Sequence, residues 1–380
     1  MSRIFYFGYY LANIDLDDNR YFVPSATNKM TYIASVLADQ GHKVTIVSAS
    51  DALNTIRKRK ISVLNENLSV QYFLSFGRKN KFVKAFSKLI TQLQILAYVI
   101  MHIKAEDKVI IYHSLGYMGL FTFLSLIKRI TFVLEVEEIY SDVTNDEKKK
   151  SEEMRYFDRA NAFIFASESL NNIINCDKKP FVIVYGIYSS EAKDVIVNKL
   201  WDDGLIHIVY AGTLDPRKGG ATMAVRAANF LPNNYCIHIL GFGKDEDVIN
   251  IKDEINVLNN DACKVVFEGV KNGNEYVNFL MNCNIGLSTQ IIGEKFNESS
   301  FPSKVLSYLA NGLRVVSARI PVLELSKVND VLTYYEENSP KALADAIMSV
   351  CFDDGISHNL VVDKLDQEFR NDINCMISSL

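Results

Sequence analysis

The feature that most constrains this chain is an alternation that starts twice. Apolar runs of strand length alternate with helical spacing from "RIFYFG" to "FVIVYG", stop, and start again at "IHIVYAGT". In the first half Ile4–Phe7 reads as a strand, followed by a polar loop, "ANIDLDDNRYFVPSATNK". "MTYIASVLADQGH" then places Tyr32, Ile33, Val36 and Leu37 on one helical face, with Gly41 as the stop. "KVTIVSA" closes a βαβ unit. "KVIIYHS", "ITFVLEVEE", "AFIFAS" and "FVIVYG" add strands, with helices expected over Phe82–Lys104 and Asp146–Ala160.

After a polar segment at 187–205, the strands "IHIVYAGT", "YCIHILGFG", "VVFEGV" and "IGLSTQ" alternate with the helices "ATMAVRAANFL" and "EYVNFLMNC"; "SPKALADAIMSV" is a last helix. The expected class is α/β, with two tandem Rossmann-like, doubly wound domains and a ligand cleft between them. The N-terminal domain is expected over 1–190 and the C-terminal domain over 206–362, with a closing helix at 363–380 that crosses back to the first. A length of 380 residues suits two cores better than one.

A net charge of −4 argues against a nucleic-acid partner. The six cysteines are scattered, none in a CxxC pair, and "MSRIFYFGYY" reads as a strand rather than a leader. Reduced thiols and a cytoplasmic location are expected. No run reaches the ~18–20 apolar residues of a membrane span. The nearest, "LITQLQILAYVIMHI", is broken by Gln92, Gln94 and His102.

Four strand ends carry candidate chemistry. "YAGTLDPRKGG" ends a strand in a turn with Arg217 and Lys218 before a helix, where cations and free amides favour a phosphate. "LGFGKDED" places Gly243 in a Gly-x-Gly turn, and "VVFEGV" ends on Gly269-Val270, backbone suited to a base edge. In "SSFPSKVLSYLANGLRVVS", Ser303 is expected to cap a helix that starts at Lys304 and ends at Gly312. Its first amides, with Lys304, would hold an anion. Each stretch alone also reads as an ordinary polar turn or capped helix.

In this order and spacing the four stretches resemble the C-terminal domain of the GT-B glycosyltransferases, specifically glycosyltransferase family 4. "NKMTYIASVLADQGHKVTIVSAS" looks like that family's first βαβ unit, and "LEVEEIYSDV" with "RANAFIFASESL" resembles bacterial surface-polysaccharide members. The resemblance implies a nucleotide-diphosphate sugar as co-substrate, UDP-linked sooner than GDP-linked, with no cofactor and no carboxylate-bound metal. It matches Lys218 to the diphosphate-binding lysine, puts Thr213 where the family has an arginine, and leaves Arg217 to compensate. Gly269 and Val270 match the base-holding turn, and His113 matches a histidine beside the donor sugar; a buried histidine with satisfied partners is the other reading.

The chain departs from the family at its signature. Two glutamates eight positions apart are expected there, and this chain has Ser299 and Ser307. Glu298, one residue early, reads either as a substitute for the first or as a solvated loop charge; the rest of the donor loop is Ser300, Phe301, Pro302, Ser303 and Lys304. A serine at 307 is too short and neutral to copy the ribose contact of a carboxylate.

If "TFVLEVEE" is a strand, Glu135 and Glu137 share one face, and Glu138 and Tyr140 the other. Carboxylates at a strand end can orient acceptor hydroxyls, serve as a base or belong to a solvated loop; the resemblance favours Glu137 and Glu138 as acceptor-orienting groups. "DLDD" and "DED" lack further ligands, so no metal is expected. Arg57–Lys60 and Arg78, Lys79, Lys81, Lys84 and Lys88, interleaved with Phe76, Phe82 and Phe86, form basic stretches. The resemblance implies docking on an anionic membrane through them; a sheet-covering helix with a solvated basic edge is the plainer alternative.

Together these readings lead to a retaining, metal-independent glycosyltransferase. It would move a sugar to a growing, lipid-linked bacterial surface glycan at the inner face of the cytoplasmic membrane. A non-catalytic glycan-binding or stabilising partner of another transferase, and a nucleotide-sugar epimerase, stay open beside it.

Overall fold

The computed structural model describes residues 2–77, 80–128, 130–144, 147–188, 197–258, 263–353 and 355–380. Arg78, Lys79, Asp146 and much of the polar segment at 187–205 lie outside them. The chain divides into two units, one of residues 1–187 with 368–380 and one of residues 188–367.

In the first unit the order is β1 (Arg3–Gly8), α1 (Pro24–Asp39), β2 (Lys43–Ser48), β3 (Lys60–Asn65), β4 (Leu68–Tyr72), α2 (Lys81–His102), β5 (Lys108–Tyr112), α3 (Met118–Ile127), β6 (Thr131–Val136), α4 (Tyr140–Thr144), α5 (Glu147–Phe157), β7 (Ala162–Phe165), α6 (Glu168–Ile174) and β8 (Phe181–Ile183). The strands pair as β3-β4-β2-β1-β5-β6-β7-β8, all parallel except β3 against β4. Strand order reverses between β1 and β5, so the open end of this sheet lies where Gly8 and His113 leave it.

One face of that sheet carries Phe5, Phe7, Ile111, Leu134, Phe163 and Phe165 against Ile95, Tyr98 and Val99 of α2, Phe121 and Leu124 of α3, and Tyr156 and Phe157 of α5. Burying each such side chain contributes about 1.5–3 kcal/mol. α1 begins six residues before the expected Met30, because Pro24 takes the first helical position, where its missing N–H is no loss.

Two expectations change here. The β3–β4 hairpin is additional to the expected strands. It absorbs the basic stretch at 57–60: Arg57 donates to the Asp18 carbonyl, Lys60 pairs with Asp15 at 2.8 Å, and Arg59 reaches Gln71. The "DLDD" carboxylates are likewise used, with Asp18 on buried Arg20 at 2.6 Å. α2 also differs from its reading as too broken for a span, being long and apolar enough in length and composition, with mean hydropathy 1.2. Its glutamines turn inward, where Gln94 bonds Leu74 and Gln92 bonds the Gly116 carbonyl.

The second unit runs β9 (Ile206–Thr213), α7 (Gly220–Ala227), β10 (Tyr235–Phe242), α8 (Asp245–Asn256), β11 (Lys264–Gly269), α9 (Gly273–Met281), β12 (Ile285–Ser288), α10 (Lys304–Ala310), β13 (Arg314–Ala318), α11 (Pro321–Glu324), β14 (Leu332–Tyr335) and α12 (Pro340–Met348). Its six parallel strands are ordered β11-β10-β9-β12-β13-β14, the dinucleotide-fold order, with the reversal between β9 and β12. A final helix, α13 (His358–Ser379), joins the first unit from residue 368, where Phe369 stacks on Tyr32 at 5.6 Å.

Candidate functional site

The second unit's site is built at the strand reversal, where β9 and β12 diverge. Gly220 begins α7 hard against the end of β12. A Cβ there would sit 2.8 Å from the Thr289 carbonyl, and Thr289 Oγ1 donates to the Gly220 carbonyl at 3.0 Å. Gly286 does the same work deeper down, since its absent Cβ leaves room for the Tyr308 ring at 2.3 Å. Tyr308 in turn accepts from the Ala211 amide at 2.9 Å and fixes the exit of β9.

Two lysines meet at that exit. Lys304, the first residue of α10, lays its ammonium 4.4 Å from the Tyr210 ring centroid. Its Nζ also lies 3.0 Å from the point a Cβ would occupy on Gly212, so a side chain there would collide with it. Lys218 ends the Pro216–Lys218 turn, close enough that its charge acts on Lys304. Burial first, and Lys218 second, pull the Lys304 ammonium down to about 8. Among the described residues neither ammonium has a carboxylate partner in ion-pair range. Two cations without a carboxylate partner, near enough for one to act on the other, make this strand reversal a candidate anion site. A cavity of about 280 Å³ opens beside Lys218, walled by Thr222, Thr289, Gln290 and Asn338. The larger recess of about 430 Å³ between α7 and α8 is lined by Asp247, Asp253 and Glu254, the wrong charge for an anion.

The other expected donor residues are placed as follows. Arg217 is exposed and closes on Asp215 at 2.5 Å, its own neighbour in the turn, which holds the Asp215 carboxyl down to about 2. Thr213 Oγ1 accepts from the Asp215 amide at 3.3 Å and so shapes the turn. Gly243 packs on the first turn of α8, where an added Cβ would sit 3.1 Å from the Asp247 Cβ. Gly269 has φ +71° with open space around it, and Val270 is exposed at the edge-strand end. Glu298 is exposed, Ser299, Ser300 and Pro302 are half-buried, and Phe301 is buried as the loop's anchor. Ser307 is half-buried one turn beyond Lys304 on the same helix face.

The expected cap is corrected. Ser303 adopts helical backbone at φ −54°, and its side chain makes no capping bond. A cap needs extended backbone to aim its hydroxyl at the third amide, and Ser303 has already entered the turn. With seven residues and no capping bond, α10 leaves Lys304 as its candidate anion-holding group.

The first unit gathers a second polar cluster at the ends of β1, β5 and β6. Glu135 is fully buried and accepts from the Tyr6 hydroxyl. Burial, then the neighbouring Glu137, raises its carboxyl to about 8. Glu137 pairs with Lys29 of α1 at 2.5 Å, an almost buried lysine whose charge that carboxylate requires. Glu138 is half-buried beside them. His113 is buried among Tyr140, Tyr156 and Phe157, with Nε2 3.2 Å from Glu153 but outside hydrogen-bond geometry. Burial lowers it to about 4, with the Glu138 backbone opposing in part, so it is neutral at physiological pH. Glu153 accepts instead from the Tyr140 and Ser141 amides, both at 2.9 Å.

The structure thus brings together Lys218, Lys304 and Thr213 in one unit, and His113, Glu137 and Glu138 in the other. Tyr210, Tyr308, Lys29 and Tyr6 enter without having been singled out. The only hint was position: Lys29 sits on the buried stripe of its own helix, where a cation needs a partner.

No protein-family model and no curated protein matches the chain in sequence. Solved structures match it in fold. The E. coli trehalose-6-phosphate structure bound with UDP-2-fluoro glucose superposes with a TM-score of 0.69 at 10% identity, over 100% of this chain and 98% of that one. The α,α-trehalose 6-phosphate synthase from Burkholderia multivorans gives 0.70 at 11% identity, over 100% and 97%. The Anabaena protein HepE in complex with UDP and glucose gives 0.64 at 12%, over 100% of both chains. The chain therefore has the two-domain Rossmann-like fold called GT-B.

Proposed function

We propose that this chain is a retaining glycosyltransferase that takes its sugar from UDP and passes it to a growing, lipid-linked surface glycan. The observation that carries the reading is the pair of unpartnered ammoniums, Lys218 and Lys304, at the strand reversal of the second unit. A diphosphate supplies the negative charge that both lack, and the partial burial of Lys304 makes that charge worth more than it would be in water. Two of the similar folds hold UDP or a UDP-sugar, which favours UDP over other carriers. Family 4 membership rests on the motif order and on no sequence match.

In the proposed reaction the bond from the anomeric carbon to the diphosphate oxygen breaks while one from the same face to the acceptor oxygen forms. The acceptor's proton passes to the departing phosphate oxygen. Lys218 and Lys304 stabilise the charge developing on the diphosphate, and no side-chain nucleophile is needed. Glu137 and Glu138 of the first unit orient the acceptor hydroxyl.

Membrane contact is supported by α2. Its face turned away from the sheet shows Phe82, Phe86, Leu89, Leu93 and Ile100, all at least half exposed, with Lys81, Lys84 and Lys88 along one flank. An exposed apolar stripe beside a basic edge suits an anionic bilayer surface, and with it a place on the inner face of the cytoplasmic membrane.

The test is Lys218→Ala, measured with a panel of UDP- and GDP-sugars and a lipid-linked acceptor. Transfer should fall at least about a hundredfold with an unchanged melting temperature. Normal turnover in that variant would sink the assignment, and conversion of donor without acceptor would make the chain an epimerase.

A further inference from the structure

At the opposite ends of the second unit's strands lies a cluster that the donor reading leaves unused. His207 stands near the start of β9, and Cys236 and His238 stand two apart near the start of β10. The parallel register sets Cys236 beside His207, so strand alternation puts all three on one face. All three are buried, and their ligand atoms lie within 4.8 Å of one another.

The hydrogen-bond chain through the two rings favours a cation. His207 Nδ1 faces His238 Nε2 at 2.9 Å. On the outer sides His207 Nε2 lies 3.1 Å from Asp203 Oδ1, and His238 Nδ1 lies 3.0 Å from Glu268 Oε1. An ionised carboxylate only accepts, so both outer nitrogens carry the hydrogens. A neutral imidazole has just one, which leaves two lone pairs facing each other across 2.9 Å. A proton shared by the two rings, or a metal ion bound by both nitrogens from one side, would relieve that repulsion. A proton would use only the two ring nitrogens, whereas the buried cluster brings a third ligand atom within 4.8 Å of both. The Cys236 sulfur is that third ligand atom. Carboxylates on the outer nitrogens are the contacts that metal-bound histidines make.

Trp201, the sole tryptophan, roofs both rings, with centroids 4.1 and 4.6 Å away and interplanar angles of 14° and 24°. Phe279 meets the indole edge-on at 5.2 Å. Two imidazoles and a thiolate suit a borderline-soft cation, with a water to complete the four-coordinate shell.

We propose that His207, Cys236 and His238 bind one Zn²⁺ as a staple across β9 and β10. The strand from His207 to Gly212 is roughly 15–20 Å long, so the staple braces the sheet and takes no part at the donor end.

The test uses the full-length protein after chelator treatment. Zn²⁺ should bind at one per chain with a saturable change in Trp201 emission. Co²⁺ should give visible bands and a near-ultraviolet thiolate-to-cobalt band. Cys236→Ser should remove that band and weaken Zn²⁺ binding at least about tenfold. A triple Cys176→Ser, Cys351→Ser, Cys375→Ser variant should keep both, because those thiols are exposed. No thiolate band in the wild type, a band that survives Cys236→Ser, or one lost in the triple variant would each overturn the proposal. If Cys236→Ser does not fold, the cobalt spectrum and stoichiometry of the triple variant decide alone.

Discussion

Lys304 carries a conflict that loss of its proton or a bound anion would relieve. Its ammonium is half-buried over Tyr210, next to a second cation and with no carboxylate beside it, which lowers it from 10.5 to about 8. A lysine lowered on folding releases its proton between the two values, so the unfolded chain binds more protons there. The ligand-free protein should therefore gain stability as pH rises from about 8 towards 10.5, and thermal melts across that window check it. Lys304→Met, close in shape but neutral, should remove the pH slope and stabilise the ligand-free protein at pH 7 by on the order of 1–3 kcal/mol after discounting for partial exposure. The same variant should lose most of the stabilisation that UDP gives the wild type. A variant that melts lower without ligand, or that keeps the full UDP shift, would show that Lys304 is a structural group.

At the scale of elements, α2 shows what a linear pattern hides. Its buried positions Ser87, Thr91, Ile95, Tyr98 and Val99 are partly polar, while its apolar stripe Phe82, Phe86, Leu89, Leu93 and Ile100 faces away from the sheet. Periodicity reports that a helix has an apolar face and assigns that face to the core; here the core takes the other side. The double variant Phe82→Glu, Phe86→Glu should keep the wild-type melting temperature, because both rings are exposed, and should no longer float with phosphatidylglycerol vesicles. Unchanged flotation, or no flotation of the wild type, would rule out α2 as a membrane-docking face. The alternation itself was legible because parallel strands buried on both faces read as continuous apolar runs. The β3–β4 hairpin was not, since β3 turns the polar Ser62 inward and exposes Ile61 and Val63, the reverse of the alternation by which a half-buried strand is read. Lys218 and Lys304 were legible from strand-end position. Their lack of partners, and the Tyr6–Glu135 and Lys29–Glu137 pairs, depend on residues more than a hundred positions apart, which no local spacing records.

On the scale of the whole molecule, the residues proposed for donor and for acceptor fall into different units, and that division can be tested by separating binding from turnover. Every residue assigned to the diphosphate lies within 188–367, while Glu137 lies in the first unit with Lys29. Glu137→Gln removes a carboxylate from a nearly buried lysine, which alone would cost several kcal/mol. Glu135 offers a way out: Glu137 is one of the causes that hold it at about 8, so without Glu137 it ionises more readily and can balance Lys29. The variant should therefore fold, bind UDP by calorimetry within about twofold of the wild type, and transfer sugar at least about a hundredfold more slowly at saturating donor. The lost turnover should appear in kcat with the acceptor, leaving the KM for the donor unmoved. A large drop in UDP affinity would mean that the first unit also holds the donor, and undiminished turnover would leave Glu137 as no more than the counter-charge of Lys29.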